Sequence, residues 1–418
     1  MALDIQSTLS QIWEKISVEE LSSIAAKTLD PGNPTDAGKM WRLPTTHPNP
    51  IVLASGIPDD DTLPTKELIE GLINGINNFP VESLTYGGWF GYDECRKAIA
   101  NRQNRIENIN LNENNIILHN GSSGCLENIL NAFIEPNDVV IVESPSYSGT
   151  IRCIQGSLAE VIEVPIHLNG IDAAEFQNLI EKIKKEQKRI KFFYTIPDYQ
   201  NPTGNVAPIE TREAILKICA ENKILIIEDA AYSELYFDQP PPPTYFSLST
   251  GFGVLRMCSF SKVVATGLRL GWIQARDEYI EILTKVRFDM GNSPLIHYAL
   301  TNFINNKSLD SHVENMRRLY KEKCSIMVDS IKENCGDYME INPPEGGYFL
   351  WLKSHHIKSD ELIKAAAQEG LVFPTGSVFF LDKSQGSYNY RLAFTQPSKK
   401  QLEEVGVRLK KAYEKCLD

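Results

Sequence analysis

Lys262 directly follows an apolar run, Val254 to Cys258, in the string Cys258-Ser259-Phe260-Ser261-Lys262, and Arg269 comes seven residues later in Gly267-Leu268-Arg269-Leu270-Gly271-Trp272. A lysine amine can condense with an aldehyde cofactor, and two hydroxyls with a guanidinium can hold that cofactor's phosphate. The spacing suits equally an exposed lysine and a structural arginine at a domain junction. Asp229 ends another apolar run, Ile224 to Ile227 and then Glu228. Open α/β sheets bind ligands at the C-terminal ends of parallel strands, so a carboxylate there can pair with a heterocyclic nitrogen, or it can cap the adjacent loop. Glu228 lies on the opposite side of the pleat, so the two acids are not expected in one pocket.

Asn201-Pro202-Thr203-Gly204 forms a rigid turn that can aim the Asn201 amide at a ligand, although the string by itself is only a turn signal. Gly121-Ser122-Ser123-Gly124 follows the apolar Ile116-Ile117-Leu118 and opens a helical pattern, a place where free backbone N–H groups and hydroxyls hold phosphate or merely cap the helix. It matches neither the GxGxxG nor the Walker A pattern, which argues against NAD and ATP. His355 and His356 are adjacent, the other histidines are dispersed and no HExxH occurs, so no metal is expected.

These residues need elements that position them. Short apolar strands are expected at Ile116 to Leu118, Asp138 to Val142, Ala159 to Val164, Ile190 to Tyr194, Ile224 to Ile227, Val254 to Cys258 and Leu270 to Ile273. Helical patterns separate many of them, including one after Asp172 and Glu175, which read as a capping box. Such alternation indicates a doubly wound α/β sheet with helices on both faces. A helix from Pro64 to Ile76 carries Gly71 and Gly75 as weak interruptions. Beyond Asp277 the pattern changes to long helices, notably Ser311 to Lys332, whose Arg317, Arg318, Lys321 and Lys323 are expected in solvent. Strands around Gly347 to Leu352 and Tyr388 to Phe394, with helices Ser359 to Glu369 and Lys400 to Leu417, suggest an α+β C-terminal domain. The division expected is 1–50 as an N-terminal helix and arm, 51–300 as a large domain and 301–418 as a small one.

The chain's 418 residues can bury a sizeable core, and its formal charge of -12 disfavours nucleic acid as a general partner. Eight cysteines without a CxxC pair or dense spacing fit a reduced cytoplasmic compartment. The N-terminus reads as neither a secretory signal nor a membrane span.

The strings IPDYQNPTG, IIEDAAYSELYF, SFSKVVATGLRLGW and PPEGGYFLW in this order resemble the class I and II aminotransferases, enzymes of fold type I that depend on pyridoxal 5'-phosphate. The nearest flavour is the group of 2-aminoadipate and kynurenine-type aminotransferases, and the likeness runs from about Ile51 to the C-terminus. It implies a large, mostly parallel, seven-stranded sheet domain with a smaller α+β C-terminal domain. It implies further that Lys262 binds the cofactor and moves the α-proton, that Asp229 keeps the ring nitrogen protonated, and that Tyr232 and Asn201 hold the phenolic oxygen. Tyr147 in ESPSYSG resembles the aromatic that stacks on the ring, and Ser122, Ser123, Gly124, Ser259, Ser261 and Arg269 resemble the phosphate cup. Tyr86 in LTYGGWFGY resembles the tyrosine that reaches the neighbouring subunit's phosphate, which implies a homodimer with composite sites. Arg391 in YNYRLAFT resembles the clamp for the substrate α-carboxylate, and Gly56 lies in a loop that closes over it. Arg42 and Trp41 on the preceding arm are further candidates for the substrate channel.

The sequence departs from the family at Ser123 and Gly124, where bulkier or amide residues are usual, and at Val263 and Thr266, where Thr and Pro are common. Trp89 departs too, and either shapes the substrate pocket or packs at the dimer interface. The reaction expected is transfer of the α-amino group of an L-amino acid to a 2-oxo acid. The alternative is a specialised cyclase or lyase acting on a polar, arginine-like amino acid, because one scaffold hosts several reactions. A cofactor-binding transcriptional regulator is disfavoured, since the first fifty residues resemble no basic reader domain.

Overall fold

The computed structural model describes residues 2–29 and 47–417. Arg42 and Trp41 lie outside the described residues. The strands in chain order are β1 (Ile51–Val52), β2 (Ile116–His119), β3 (Val139–Ser144), β4 (Glu160–Pro165), β5 (Ile190–Thr195) and β6 (Leu225–Asp229). They are followed by β7 (Val254–Ser259), β8 (Gly271–Gln274), β9 (Met339–Ile341), β10 (Phe349–Ser354), β11 (Leu371–Val372) and β12 (Asn389–Ala393).

Seven of them form one sheet in the order β2-β8-β7-β6-β5-β3-β4. The β7-β6-β5-β3-β4 pairs are parallel, and β8 runs antiparallel to both its neighbours. Every residue of β2, β3, β7 and β8 is buried, which is why these strands read as largely apolar runs without polar alternation. Because β2 shares the direction of β7, the C-terminal ends of β2, β3, β5, β6 and β7 all lie along one edge of the sheet. That edge receives the chemistry-bearing loops.

A three-stranded antiparallel sheet, β12-β10-β9, packs with the helices Ser359–Gln368 and Lys399–Leu417 to form the C-terminal unit. Ile51 and Val52 do not join the large sheet but pair in parallel with Leu371 and Val372, and the Leu53 carbonyl accepts from the Ala393 N–H at 2.7 Å. The segment before Gly56 is thereby welded to residues more than 300 positions away. No local periodicity announces a pairing of this kind.

Gly71 and Gly75 do not interrupt the helix Thr65–Asn78; they let it approach the helix Pro294–Asn305 closely. A Cβ at Gly71 would lie 2.7 Å from the Ala299 backbone, and one at Gly75 would lie 2.8 Å from the Tyr298 Cβ. Asp172 caps its helix by accepting from the Ala174 and Glu175 N–H groups, while the Glu175 carboxylate turns to His167 Nε2 at 3.0 Å.

The long helix Ser308–Cys335 carries one correction to the sequence reading. Arg318 and Lys321 do project into solvent, but Lys323 is 2% exposed. Its ammonium pairs with Asp59 and donates to the Thr395 carbonyl at 2.6 Å. The helix turns that position toward the segment 53–59, and a charge arriving there is tolerable only because an acid meets it. Arg317 is likewise half-sheltered, donating to the Glu234 carbonyl at 2.7 Å and lying over the Tyr236 ring. Lys323→Met should therefore cost about 3–5 kcal/mol of stability, the usual penalty for leaving a buried partner charge unpaired. Denaturant unfolding checks this, and an unchanged midpoint would show that Asp59 relaxes to solvent.

Candidate active site

The loops at the C-terminal edge of the large sheet and the facing strands of the C-terminal unit enclose a cavity of about 250 Å³. β6 delivers Asp229 and, in the turn after it, Tyr232; β7 delivers Ser259, with Ser261 and Lys262 just beyond. The loop after β5 brings Asn201, the loop after β3 brings Tyr147, and the first turn of the helix Gly121–Phe133 brings Ser122 and Ser123. Arg269, Gly56 and Arg391 complete the set, and every one of these residues borders the cavity.

Lys262 Nζ donates to the Gly56 carbonyl at 2.5 Å, so the amine rests against the loop tied to Arg391 and Lys323. Burial, with Arg391 and Arg269 nearby, lowers its affinity for protons to a pKa of about 8, against the pull of Asp229. Asp229 is pushed the other way, above the usual carboxylate range, by burial. Three groups oppose that rise: the Tyr194 hydroxyl at 2.7 Å, the Ala231 N–H at 3.2 Å and the Lys262 charge. Glu228 faces elsewhere as the pleat requires, accepting from the Tyr245 and Phe246 N–H groups at 3.0 Å each.

Arg391 on β12 is 6% exposed and meets no carboxylate among the described residues. Its guanidinium donates to Asn201 Oδ1 and to the Ala54 carbonyl, both at 2.8 Å, and lies between the Phe349 and Phe379 rings, 4.1 and 4.9 Å from their centroids. Burial brings its pKa down to about 10, and Nε has no hydrogen-bond partner. A buried cation that borders a cavity and has no carboxylate of its own is a receptor for an anion, and its planar fork suits a carboxylate.

At the other end of the cavity the donors suit a phosphate. Ser122 and Ser123 stand at a helix N-terminus, the Ser259 hydroxyl lies 2.9 Å from that of Ser261, and Arg269 crosses from the opposite loop. Gly121 has φ +71°, and a Cβ there would lie 2.7 Å from the Arg269 guanidinium, so the crossing requires glycine. Helix dipole, hydroxyls and guanidinium at one end, an amine and an acid in the middle and an arginine without a carboxylate partner among the described residues at the other fit pyridoxal 5'-phosphate together with an amino acid.

Two of the expected residues lie away from this chain's own cavity. Gly124 does not border the cavity, because one further step of helical rotation turns it back toward Asn120, whose Cβ would be 3.2 Å from a Cβ on Gly124. Trp89 does not border it either; its carbonyl receives Arg287 at 2.6 Å and its ring is 41% exposed. Tyr86 is also remote from this chain's own cavity and is 82% exposed. Residues that the sequence reading passed over include Phe349 and Phe379, which flank Arg391, and Thr150 and Tyr194 behind Asp229. The Phe349 position lies inside PPEGGYFLW, but no local signal showed that its ring would face an arginine on a neighbouring strand.

The chain is similar to known proteins in sequence and fold. The chain is 31% identical over 366 residues to an uncharacterized aminotransferase of Saccharolobus solfataricus, covering 86% of this chain and 90% of that protein. It is 27% identical over 369 residues to a 2-aminoadipate transaminase of Thermus thermophilus, covering 87% of this chain and 90% of that protein. Its structure superposes on that of an archaeal alanine:glyoxylate aminotransferase with a TM-score of 0.89 at 26% identity, over 96% of this chain and 100% of the other. Residues 48–409 match the family described as aminotransferase class I and II. The chain belongs to that family, as a fold type I enzyme that uses pyridoxal 5'-phosphate to move an amino group between an amino acid and a 2-oxo acid.

Proposed function

We propose that the donor is an L-amino acid bound through its α-carboxylate to Arg391, and that Lys262 takes the proton from its Cα and, in the second half of the reaction, delivers one to the Cα of the amino acid formed from the 2-oxo acid. The observation that carries this reading is the buried Arg391, which meets no carboxylate among the described residues and borders the same cavity as Lys262. When bound, pyridoxal 5'-phosphate supplies an aldehyde for the amine to condense with and a sink for the electrons left at Cα. Ser122, Ser123, Ser259, Ser261 and Arg269 would hold its phosphate, Asp229 its ring nitrogen, Tyr232 and Asn201 its phenolic oxygen, and Tyr147 its ring face. Lys262, with a pKa near 8, has enough neutral amine near neutral pH to accept a proton and enough ammonium to give one back.

We read the working enzyme as a cytoplasmic homodimer in which Tyr86 serves the neighbouring subunit's phosphate. Support comes from the exposure of Tyr86 together with Phe79, Trp89 and Phe288, and from eight cysteines that are all unbridged. Incubating the purified, cofactor-loaded protein with a panel of L-amino acids tests the reaction. Release of the matching 2-oxo acid once per site without an acceptor, and repeatedly after a 2-oxo acid is added, is expected. A cyclised or eliminated product formed without any acceptor would overturn amino transfer in favour of the cyclase or lyase.

A further inference from the structure

Asp229 does not stand alone behind the cavity. The Tyr194 hydroxyl donates to Asp229 Oδ2 at 2.7 Å, and the Thr150 hydroxyl donates to the Tyr194 oxygen at 3.0 Å. Tyr194 and Thr150 are both buried, at 0% and 4% exposure, so water does not compete for these bonds. The pleat explains the arrangement: Tyr194 and Thr195 are successive on β5, and Thr195 turns to Glu143 on one side while Tyr194 turns to Asp229 on the other. Thr150 lies in the first turn of the helix Ser148–Gly156, immediately after Tyr147, so one chain reversal presents a ring to the cavity and braces the acid behind it.

We infer that Tyr194, backed by Thr150, is a positioning residue for the reaction: its hydroxyl holds the Asp229 carboxylate ionised and aimed at the cavity. This rests on the reading of Asp229 as the partner of the cofactor's ring nitrogen. A donor to a buried carboxylate stabilises its charged form, and here it offsets the burial that otherwise favours the acid. The other titratable groups facing Asp229 are Lys262 after β7, Tyr232 after β6, Cys125 on the helix Gly121–Phe133 and Glu143 at the end of β3. Of these only Lys262 carries a positive charge, and it belongs to the reacting centre. Tyr194 is the side chain available to support Asp229 throughout the reaction without taking part in it.

The test compares the cofactor-loaded wild type with Tyr194→Phe, Thr150→Val and Asp229→Asn. Tyr194→Phe should weaken pyridoxal 5'-phosphate binding and lower kcat by about tenfold to a hundredfold, the worth of one hydrogen bond to a charged group, with little change in KM for the amino donor. The acid limb of its pH–rate profile should move to higher pH, because Asp229 then takes up a proton more readily. Thr150→Val, which conserves volume, should shift the same limb in the same direction by less, and it carries the test if Tyr194→Phe does not fold. A lowered melting temperature with the acid limb and cofactor affinity unmoved would overturn the inference. If Asp229→Asn itself binds cofactor and turns over like wild type, the reading of Asp229 fails as well; impairment of Asp229→Asn alone sinks only the role of Tyr194.

Discussion

Replacing Lys262 with alanine should lower turnover by about 10⁴-fold while leaving the protein folded. The amine borders the cavity, and its hydrogen bond in the described structure, to the Gly56 carbonyl, is one contact on a loop that Arg391 and the Ile51–Val52 pairing also hold. Its lowered proton affinity adds two pH signatures. Condensation with an aldehyde requires neutral amine, so capture of pyridoxal 5'-phosphate by the cofactor-free wild type should accelerate about tenfold per pH unit and level off above about 8. For stability the sign runs opposite to that of a paired lysine. Folding moves this amine from its ordinary value of 10.5 down to about 8, so the unfolded chain binds more protons between those values. The folded state is therefore penalised below about pH 8 and relieved as pH rises toward 10.5. Lys262→Ala removes the penalty, and melting of the cofactor-free proteins should show the variant gaining on wild type at pH 6 and losing that advantage progressively between about pH 8 and 10.5. Stability differences independent of pH would show that the amine is solvated in the fold.

Arg391→Ala should reduce kcat/KM for amino acids by about 10²- to 10³-fold, the loss of a two-point, charge-assisted contact. Lysine should not restore it, since a point charge cannot span the Asn201 oxygen, the Ala54 carbonyl and a substrate carboxylate at once, and it would forfeit the packing between Phe349 and Phe379. The substitution also leaves two buried acceptors unpaired, so a general loss of structure must be separated from loss of the clamp. An amine substrate that lacks a carboxylate provides the separation: wild type and variant should process it at similar rates. Equal loss toward both substrates would mean that Arg391 serves the architecture of the Ala54–Asn201 contact rather than the substrate.

The chain reports its own strands and much of its site because both depend on local order. β3, β5, β6 and β7 are short, largely apolar runs that are buried almost throughout, so a hydrophobicity pattern finds them, and the residues at and just past their ends are the ones that reach the cavity. Ser259, Ser261 and Lys262 at and after the end of β7, Asp229 and Tyr232 at and after the end of β6, and Asn201 after β5 follow from that rule once the strand ends are known. Gly124 shows its limit. It belongs to the same string as Ser122 and Ser123, but one more residue of helix turns it away, and a string contains no rotation.

Other features depend on pairings that no window of sequence contains. Lys323 reads as one more solvent lysine on a charged helix, yet it is buried because Asp59, more than 260 positions earlier, is carried to it by the parallel pairing of Ile51–Val52 with Leu371–Val372. Tyr194 reads as an ordinary strand residue, and only the register of β5 against β6 and the placement of the helix Ser148–Gly156 set its hydroxyl between Thr150 and Asp229. Arg391 likewise owes its partners to four separate segments, the Ala54 loop, the Asn201 turn and those that carry Phe349 and Phe379. Residue type and local periodicity determined which chemistry this protein could carry. Only tertiary structure decided which charges would be desolvated and which would be paired, because burial and pairing are properties of neighbours brought together across hundreds of residues.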